Sequence, residues 1–97
     1  GAAMAVKQAG LMGKVIVFGY DGGDQQTSMI LSGDNILLAV VAQDPYAQGY
    51  RAVESLALTL QGKTNPDAGK ITVVPGMYLG ISDLEAVKAW RTANGLK

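Results

Sequence analysis

The sequence predicts an α/β fold in which parallel strands are joined by crossover helices. Two short apolar runs, Val15–Phe18 and Ile36–Ala42, lack the polar alternation of half-exposed strands, which is typical of strands buried on both faces. Segments with helical apolar spacing come before, between and after these runs. Strands that alternate with helices along a chain are usually parallel members of one sheet.

The first two helices are predicted from their apolar spacing and from the glycines that follow them. Residues 2–9 carry alanines and a valine on one face, and Gly10 suits the left-handed residue that often ends a helix. Residues 24–32 predict a second short helix, which Gly33 ends in the same way. Each of these helices lies next to one of the two apolar strands in the chain.

The third helix has the clearest signals of any element. Asp44 is a good N-cap, Pro45 suits the first helical position, and Gly62 marks the end. Apolar side chains at steps of four and three predict one buried face, made of Tyr46, Tyr50, Val53, Ala57 and Leu60.

The last part of the chain predicts another strand, an extended segment and a helix. Ile71–Val74 predicts a third strand, which a Pro-Gly pair ends, and residues 78–81 are extended without a clear type. Ser82, with Glu85 three residues on, predicts a capping box that opens the last helix.

The composition limits the classes of function. The 97 residues are 48% apolar and 16% charged, which favours a folded domain over disorder. Eight basic and eight acidic residues give no net charge, so we expect no nucleic-acid partner. Cysteine and histidine are absent, and we expect neither a metal, nor a cofactor, nor an enzyme. Because the chain begins at Gly1 without a signal segment, we expect a processed product, an engineered piece or a fragment rather than a translated N-terminus.

Two polar residues follow the first two predicted strands and are the candidate ligand-binding residues. Asp21 stands in a glycine-rich turn after the first strand, and Gln43 directly follows the second. Ligands of parallel sheets bind beyond the carboxyl ends of the strands, and neighbouring strands lie about 4.8 Å apart. A carboxylate and an amide together suit an uncharged polyol. A second interpretation stays open, in which Asp21 and Gln43 are turn residues and Asp21 bonds its own backbone.

Other candidate motifs are weaker. Residues 62–64 match the end of a phosphate-binding loop, but Ala57 stands where that loop needs glycine, and a helix precedes it. Asp21 and Asp44 would both lie near the predicted site, as the paired acids of glycosidases do, although Asp44 is better explained as a helix cap. No nucleophile–base pair is present in the sequence, which argues against a sugar-active enzyme.

A family resemblance rests on three runs that occur in order: residues 1–10, Val17–Gly22, and Ala42–Tyr46 followed by Gly49. Together they resemble the carboxyl-terminal third of periplasmic sugar-binding proteins of the ribose- and galactose-binding type, which serve ABC importers. The combination of a Gly-Tyr-Asp-Gly turn with a later Ala-Gln-Asp-Pro segment is its most specific part. The resemblance runs over essentially the whole chain.

The resemblance implies a fragment of a type I periplasmic-binding-protein fold, whose two lobes close about a hinge on a sugar. Asp21 matches the family's aspartate that accepts from sugar hydroxyls, and Gln43 matches its glutamine at the crossover. Residues 1–43 and 78–97 match the carboxyl-terminal lobe, and residues 44–77 match a segment of the amino-terminal lobe and hinge. The implied ligand is a monosaccharide or sugar alcohol, the partner a membrane permease, and the location the periplasm.

The shared fold leaves other functions open. The main alternative is the effector-binding core of a lactose-repressor-type regulator, although Gly33–Leu37 stands where those proteins usually have a Pro-Leu-Thr-Thr-like stretch. A chemotaxis or signal receptor has the same fold. Because part of the fold is missing from this chain, we expect open apolar surfaces that pair with the remainder of the parent protein or with a segment-swapped copy of the chain.

Overall fold

The computed structural model describes residues 1–97, which form four helices and three strands. In chain order they are α1 (Ala2–Gln8), β1 (Val17–Tyr20), α2 (Asp24–Leu31), β2 (Leu37–Ala42), α3 (Pro45–Leu60), β3 (Met77–Gly80) and α4 (Leu84–Ala93). The chain divides into two compact units. Unit 1 comprises Gly1–Ala42 and Met77–Lys97, and unit 2 comprises Gln43–Gly76. The four helices include no candidate for a membrane span.

Unit 1 is built on a three-stranded sheet in the order β1-β2-β3. Strands β1 and β2 are parallel, as predicted, with Tyr20 opposite Val41. Strand β3 runs antiparallel to β2 along its other edge, with Leu79 opposite Val40. The predicted α/β fold class is confirmed, but the expectation of parallel strands throughout is wrong for β3.

Two of the strands differ from their predicted positions. β1 begins at Val17 rather than Val15, and its pairing starts where the Val17 N–H donates to the Ile36 carbonyl at 2.7 Å. The predicted strand Ile71–Val74 does not form, and Ile71 is 96% exposed. The edge of β2 opposite β1 pairs instead with β3, which forms from the segment predicted only as extended.

The core of unit 1 lies on one face of the sheet, beneath three helices. Helix α2 contacts β2 and α4, and α4 also contacts β3. The buried apolar cluster contains Ala3, Ile30, Ile36, Leu37, Val40, Ala42, Leu79 and Val87. Burial of a side chain the size of valine or leucine contributes about 1.5–3 kcal/mol, so this cluster is the main source of stability of unit 1.

The opposite face of the sheet carries exposed apolar side chains on all three strands. Phe18 and Tyr20 alternate with the inward residues of β1 and are 66% and 68% exposed. Tyr20, Val41 and Tyr78 are register neighbours across the three strands, and all three are exposed. The prediction that β1 is buried on both faces is therefore wrong for this chain, because Phe18 and Tyr20 are exposed.

The start of α4 is fixed by Asp83. Its carboxylate accepts from the Ala86 N–H at 3.0 Å, which is the contact that an N-cap aspartate makes. The predicted capping box from Ser82 to Glu85 is wrong, because Ser82 lies one residue before the cap position.

Unit 2 is one helix with an irregular segment beside it. Helix α3 starts as predicted, with the Asp44 carboxylate accepting from the Ala47 N–H at 2.9 Å. The Asn65 amide donates to the carbonyl and hydroxyl oxygens of Ser55 at 3.1 and 2.8 Å, and so holds the segment to the helix. No residue between 43 and 76 is buried. The predicted buried face of α3 is wrong for this chain: its exposed members are Tyr46, Tyr50, Val53 and Leu60.

Candidate functional site

The two predicted ligand residues follow the two parallel strands. Asp21 is the first residue after β1, and its N–H donates to the Val41 carbonyl at 2.9 Å. Gln43 is the first residue after β2. Both residues are exposed. The carboxyl ends of β1 and β2 thus each carry one polar side chain that can bind a hydroxyl group, and this role stays a prediction.

The turn that carries Asp21 has an unusual backbone. Asp21 has a φ of 69°, a left-handed conformation that few residues other than glycine adopt, although Asp and Asn tolerate it best. A Cβ placed on the next residue, Gly22, would lie 2.7 Å from the Ala42 Cβ and 3.1 Å from the Trp90 ring. Glycine is therefore required here, because the turn passes in close contact with the end of β2 and with α4.

Gln43 leads from β2 towards α3. The Gln48 side-chain amide donates to Gln43 Oε1 at 3.4 Å. The Gln43 amide has both donor and acceptor atoms, so it can bind a hydroxyl group in either direction. The neighbouring Asp44 caps α3, which accounts for that carboxylate without a role as the second acid of a glycosidase pair.

Asp21 is exposed and lies outside the cavity beside β1. A cavity of about 560 Å³ lies beside β1 and is lined by residues of α1, α2, β1 and β2, but Asp21 does not line it. No group of three or more acidic, histidine or cysteine side chains is placed to hold a metal ion. An exposed carboxylate can accept hydrogen bonds from hydroxyl groups or from nitrogen donors.

Arg91 is a structurally central residue that sequence reasoning missed. It is 8% exposed, and its guanidinium donates to the Thr27 hydroxyl at 2.7 Å and pairs with the Asp24 carboxylate at 2.8 Å. The sequence signal available for it is an arginine four residues after the core residue Val87, on the apolar side of the last helix. Trp90, beside it, packs against the core and is half-buried.

Comparison with known proteins identifies the family. The model of the periplasmic binding protein domain matches residues 1–64, and the chain belongs to this family. One similar solved structure is that of an ABC transporter solute binding protein from Agrobacterium vitis with bound allitol. The similarity has a TM-score of 0.78 and 27% sequence identity, and it covers 92% of this chain and 29% of that one. A search of curated proteins finds no match.

These similarities bear directly on the predictions from sequence. They confirm the resemblance to sugar-binding proteins of ABC importers and the type of fold. The family and the solved structure are those of binding proteins rather than enzymes, and neither favours the repressor alternative. This chain spans 29% of the length of the solved protein, so it corresponds to a part of that protein.

Proposed function

We propose that the chain is the carboxyl-terminal part of the solute-binding component of an ABC importer, which binds a sugar or sugar alcohol in the periplasm and is not an enzyme. One observation carries this proposal. Asp21 and Gln43 follow neighbouring parallel strands in a chain whose fold matches a protein with bound allitol. In the full-length protein, two lobes close on the ligand, and a membrane permease recognises the closed form.

The chemistry of the two residues suits such a ligand. An ionised carboxylate has two oxygens and accepts from two hydroxyls at once, whereas an amide both donates and accepts. Neighbouring hydroxyls of a polyol present these donors and acceptors together. Asp21 is exposed in this chain, and high affinity needs opposing contacts that remove water from the ligand. The rest of the full-length protein supplies those contacts in this proposal.

The division of the chain follows the same proposal. Residues 1–43 and 78–97 belong to the carboxyl-terminal lobe, and residues 44–77 belong to the other lobe and the hinge. The separation of Gln43–Gly76 as its own compact unit supports this assignment. So do the exposed apolar residues of β1 and α3, which the remainder of the parent protein, or a segment-swapped copy, covers.

The experiment is isothermal titration calorimetry on the full-length protein with allitol and a panel of pentoses, hexoses and their sugar alcohols. Asp21→Asn should weaken binding about tenfold to a hundredfold, because a charged acceptor of hydroxyl bonds is lost. Asp34→Asn is the matched control, since Asp34 precedes β2 at the opposite end of the sheet and pairs with Lys7. It should leave affinity unchanged.

A second pair of variants tests Gln43. Gln43→Ala should weaken binding about tenfold, and Gln61→Ala, at the end of α3, should not. Unchanged affinity in Asp21→Asn would remove Asp21 from the site. A wild-type protein that binds no member of the panel would contradict the proposed function itself.

A further inference from the structure

We propose that α4 is a positioning element for the ligand site: Arg91 and Trp90 hold the Asp21–Gly23 turn in the conformation that presents the Asp21 carboxylate. This inference rests on the proposed role of Asp21 in ligand binding. Neither α4 residue is proposed to touch the ligand. Both act through the turn, one by hydrogen bonds and the other by packing.

The guanidinium of Arg91 is bonded almost entirely to the first part of α2. The two N–H groups of Nη1 face three acceptors: the Asp24 carbonyl at 3.0 Å, the Thr27 hydroxyl at 2.7 Å and the Ser28 hydroxyl at 3.0 Å. Nη2 pairs with the Asp24 carboxylate at 2.8 Å and also donates to the Lys97 carbonyl. The planar fork of an arginine can make these bonds together, whereas the single nitrogen of a lysine cannot.

A buried threonine connects this network to the turn. Thr27 is fully buried, and its hydroxyl accepts from Arg91 while donating to the Gly23 carbonyl at 2.7 Å. The Thr27 N–H donates to the same carbonyl at 3.0 Å. The hydrogen bonds therefore run from α4 through Thr27 to Gly23, two residues after Asp21. Linked bonds of this kind fix the geometry of a segment more strongly than isolated ones.

Trp90 restrains the turn by packing. A Cβ on Gly22 would lie 3.1 and 3.2 Å from two carbon atoms of the Trp90 ring and 2.7 Å from the Ala42 Cβ. Gly22 is thus in close contact with both the ring and the end of β2. Such tight packing leaves the backbone beside Asp21 little space in which to change conformation.

The turn needs this support because of the backbone of Asp21. A left-handed residue other than glycine persists where the surrounding structure holds it, and such residues concentrate at functional sites. Hydrogen bonds to a ligand need heavy-atom distances of about 2.5–3.2 Å and weaken steeply at angles below about 120°. If the turn relaxed, the Asp21 carboxylate would still be present but would no longer be oriented towards the ligand. Arg91 itself is 8% exposed, and both of its terminal nitrogens are bonded within the protein. It is therefore not placed to contact the ligand, and its effect on binding comes through the turn.

The test compares ligand affinity with thermal stability in the full-length protein. Arg91→Lys keeps the charge but loses the fork, and it should weaken binding of the best sugar or sugar alcohol of the panel about tenfold. Trp90→Phe should change affinity in the same direction. Val87→Ala is the matched control, because Val87 is fully buried on the same helix and lies outside the network. It should lower the melting temperature as much as Arg91→Lys and leave affinity unchanged.

Hydrogen–deuterium exchange gives a readout that needs no ligand. The peptide covering residues 20–27 should exchange faster in the Arg91→Lys variant than in the Val87→Ala variant, although the two variants have equal melting temperatures. The inference would be overturned if affinity falls in proportion to melting temperature in both variants. It would also be overturned if exchange in this peptide is unchanged in Arg91→Lys. If the wild-type protein binds nothing while Arg91→Lys still loosens the peptide, the proposed function fails and the support of the turn by α4 stands.

Discussion

The two units of this chain carry similar helices but differ in what those helices cover. Unit 1 buries apolar residues from three helices and the sheet, whereas unit 2 buries none between residues 43 and 76. Yet α3, in unit 2, has an aspartate cap, a proline at its start and a regular apolar face. An apolar face at helical spacing therefore predicts where a helix can pack, and only a facing surface turns it into a core.

The largest expected difference between the units is the effect of removing one leucine from each. Leu79→Ala, at a fully buried position of β3, should lower the free energy of unfolding by about 2–5 kcal/mol. Leu60→Ala, at an exposed position of α3, should lower it by less than about 0.5 kcal/mol. Urea unfolding of the 97-residue chain measures both values.

The same pair of variants can contradict this expected difference between the units. If Leu60→Ala destabilises the isolated chain as much as Leu79→Ala, then α3 packs against a surface in solution. We propose that this helix is covered in the full-length protein. There, Leu60→Ala should lower the free energy of unfolding clearly more than it does in the isolated chain.

A smaller effect is expected from the buried hydroxyl of unit 1. Thr27→Val keeps the shape but removes the hydroxyl that bonds both the Arg91 guanidinium and the Gly23 carbonyl, which should cost about 1–3 kcal/mol. Thr92→Val is the control, because the exposed Thr92 hydroxyl donates only to the Lys88 carbonyl one turn earlier. Equal unfolding midpoints for the two variants would show that the network adds nothing to stability.

Removal of the helix caps should affect the two units differently and by smaller amounts. Asp83→Ala removes the cap of α4 and should lower the stability of unit 1 by about 1 kcal/mol, seen in the urea midpoint. Asp44→Ala removes the cap of α3 and should instead speed amide exchange in α3 alone, with no change in that midpoint. Asparagine at either position should restore the wild-type behaviour. A shift of the midpoint by Asp44→Ala would mean that the two units unfold together.

The smallest effect is expected from exposed ion pairs, which should not distinguish the units. Lys7 and Asp34 in unit 1 lie 2.7 Å apart, and Arg51 and Asp67 in unit 2 lie 3.5 Å apart. All four side chains are partly exposed, so each coupling energy from a double-mutant cycle should stay below about 1 kcal/mol and fall with added salt. A larger coupling energy for either pair would indicate that the pair is more buried than the structure shows.

The sequence predicted the parts of the fold that depend on local signals. Apolar runs and glycine stops located β2, α1 and α2, and their alternation predicted the parallel pairing of β1 with β2. The choice of Met77–Gly80 over Ile71–Val74 as β3 was not predictable, because both segments are apolar and the choice depends on which one reaches the edge of β2. The exposure of α3 was likewise missed, since periodicity cannot say whether a partner surface is present.

The site divides in the same way. The positions of Asp21 and Gln43 after the two strands follow from strand order, which the sequence predicts. The role of Arg91 depends on contacts with residues more than 60 positions earlier in the chain, and no local pattern indicates them. The left-handed backbone of Asp21 was also missed, because aspartate in a glycine-rich turn adopts several conformations.

The most direct test of the proposed binding site is a crystal structure of the full-length protein with its bound sugar or sugar alcohol. We predict that the Asp21 carboxylate accepts hydrogen bonds from ligand hydroxyls, that the Gln43 amide bonds the same ligand, and that Asp21 keeps its left-handed backbone. A ligand bound elsewhere, with Asp21 and Gln43 both facing solvent, would contradict the site proposed for this chain.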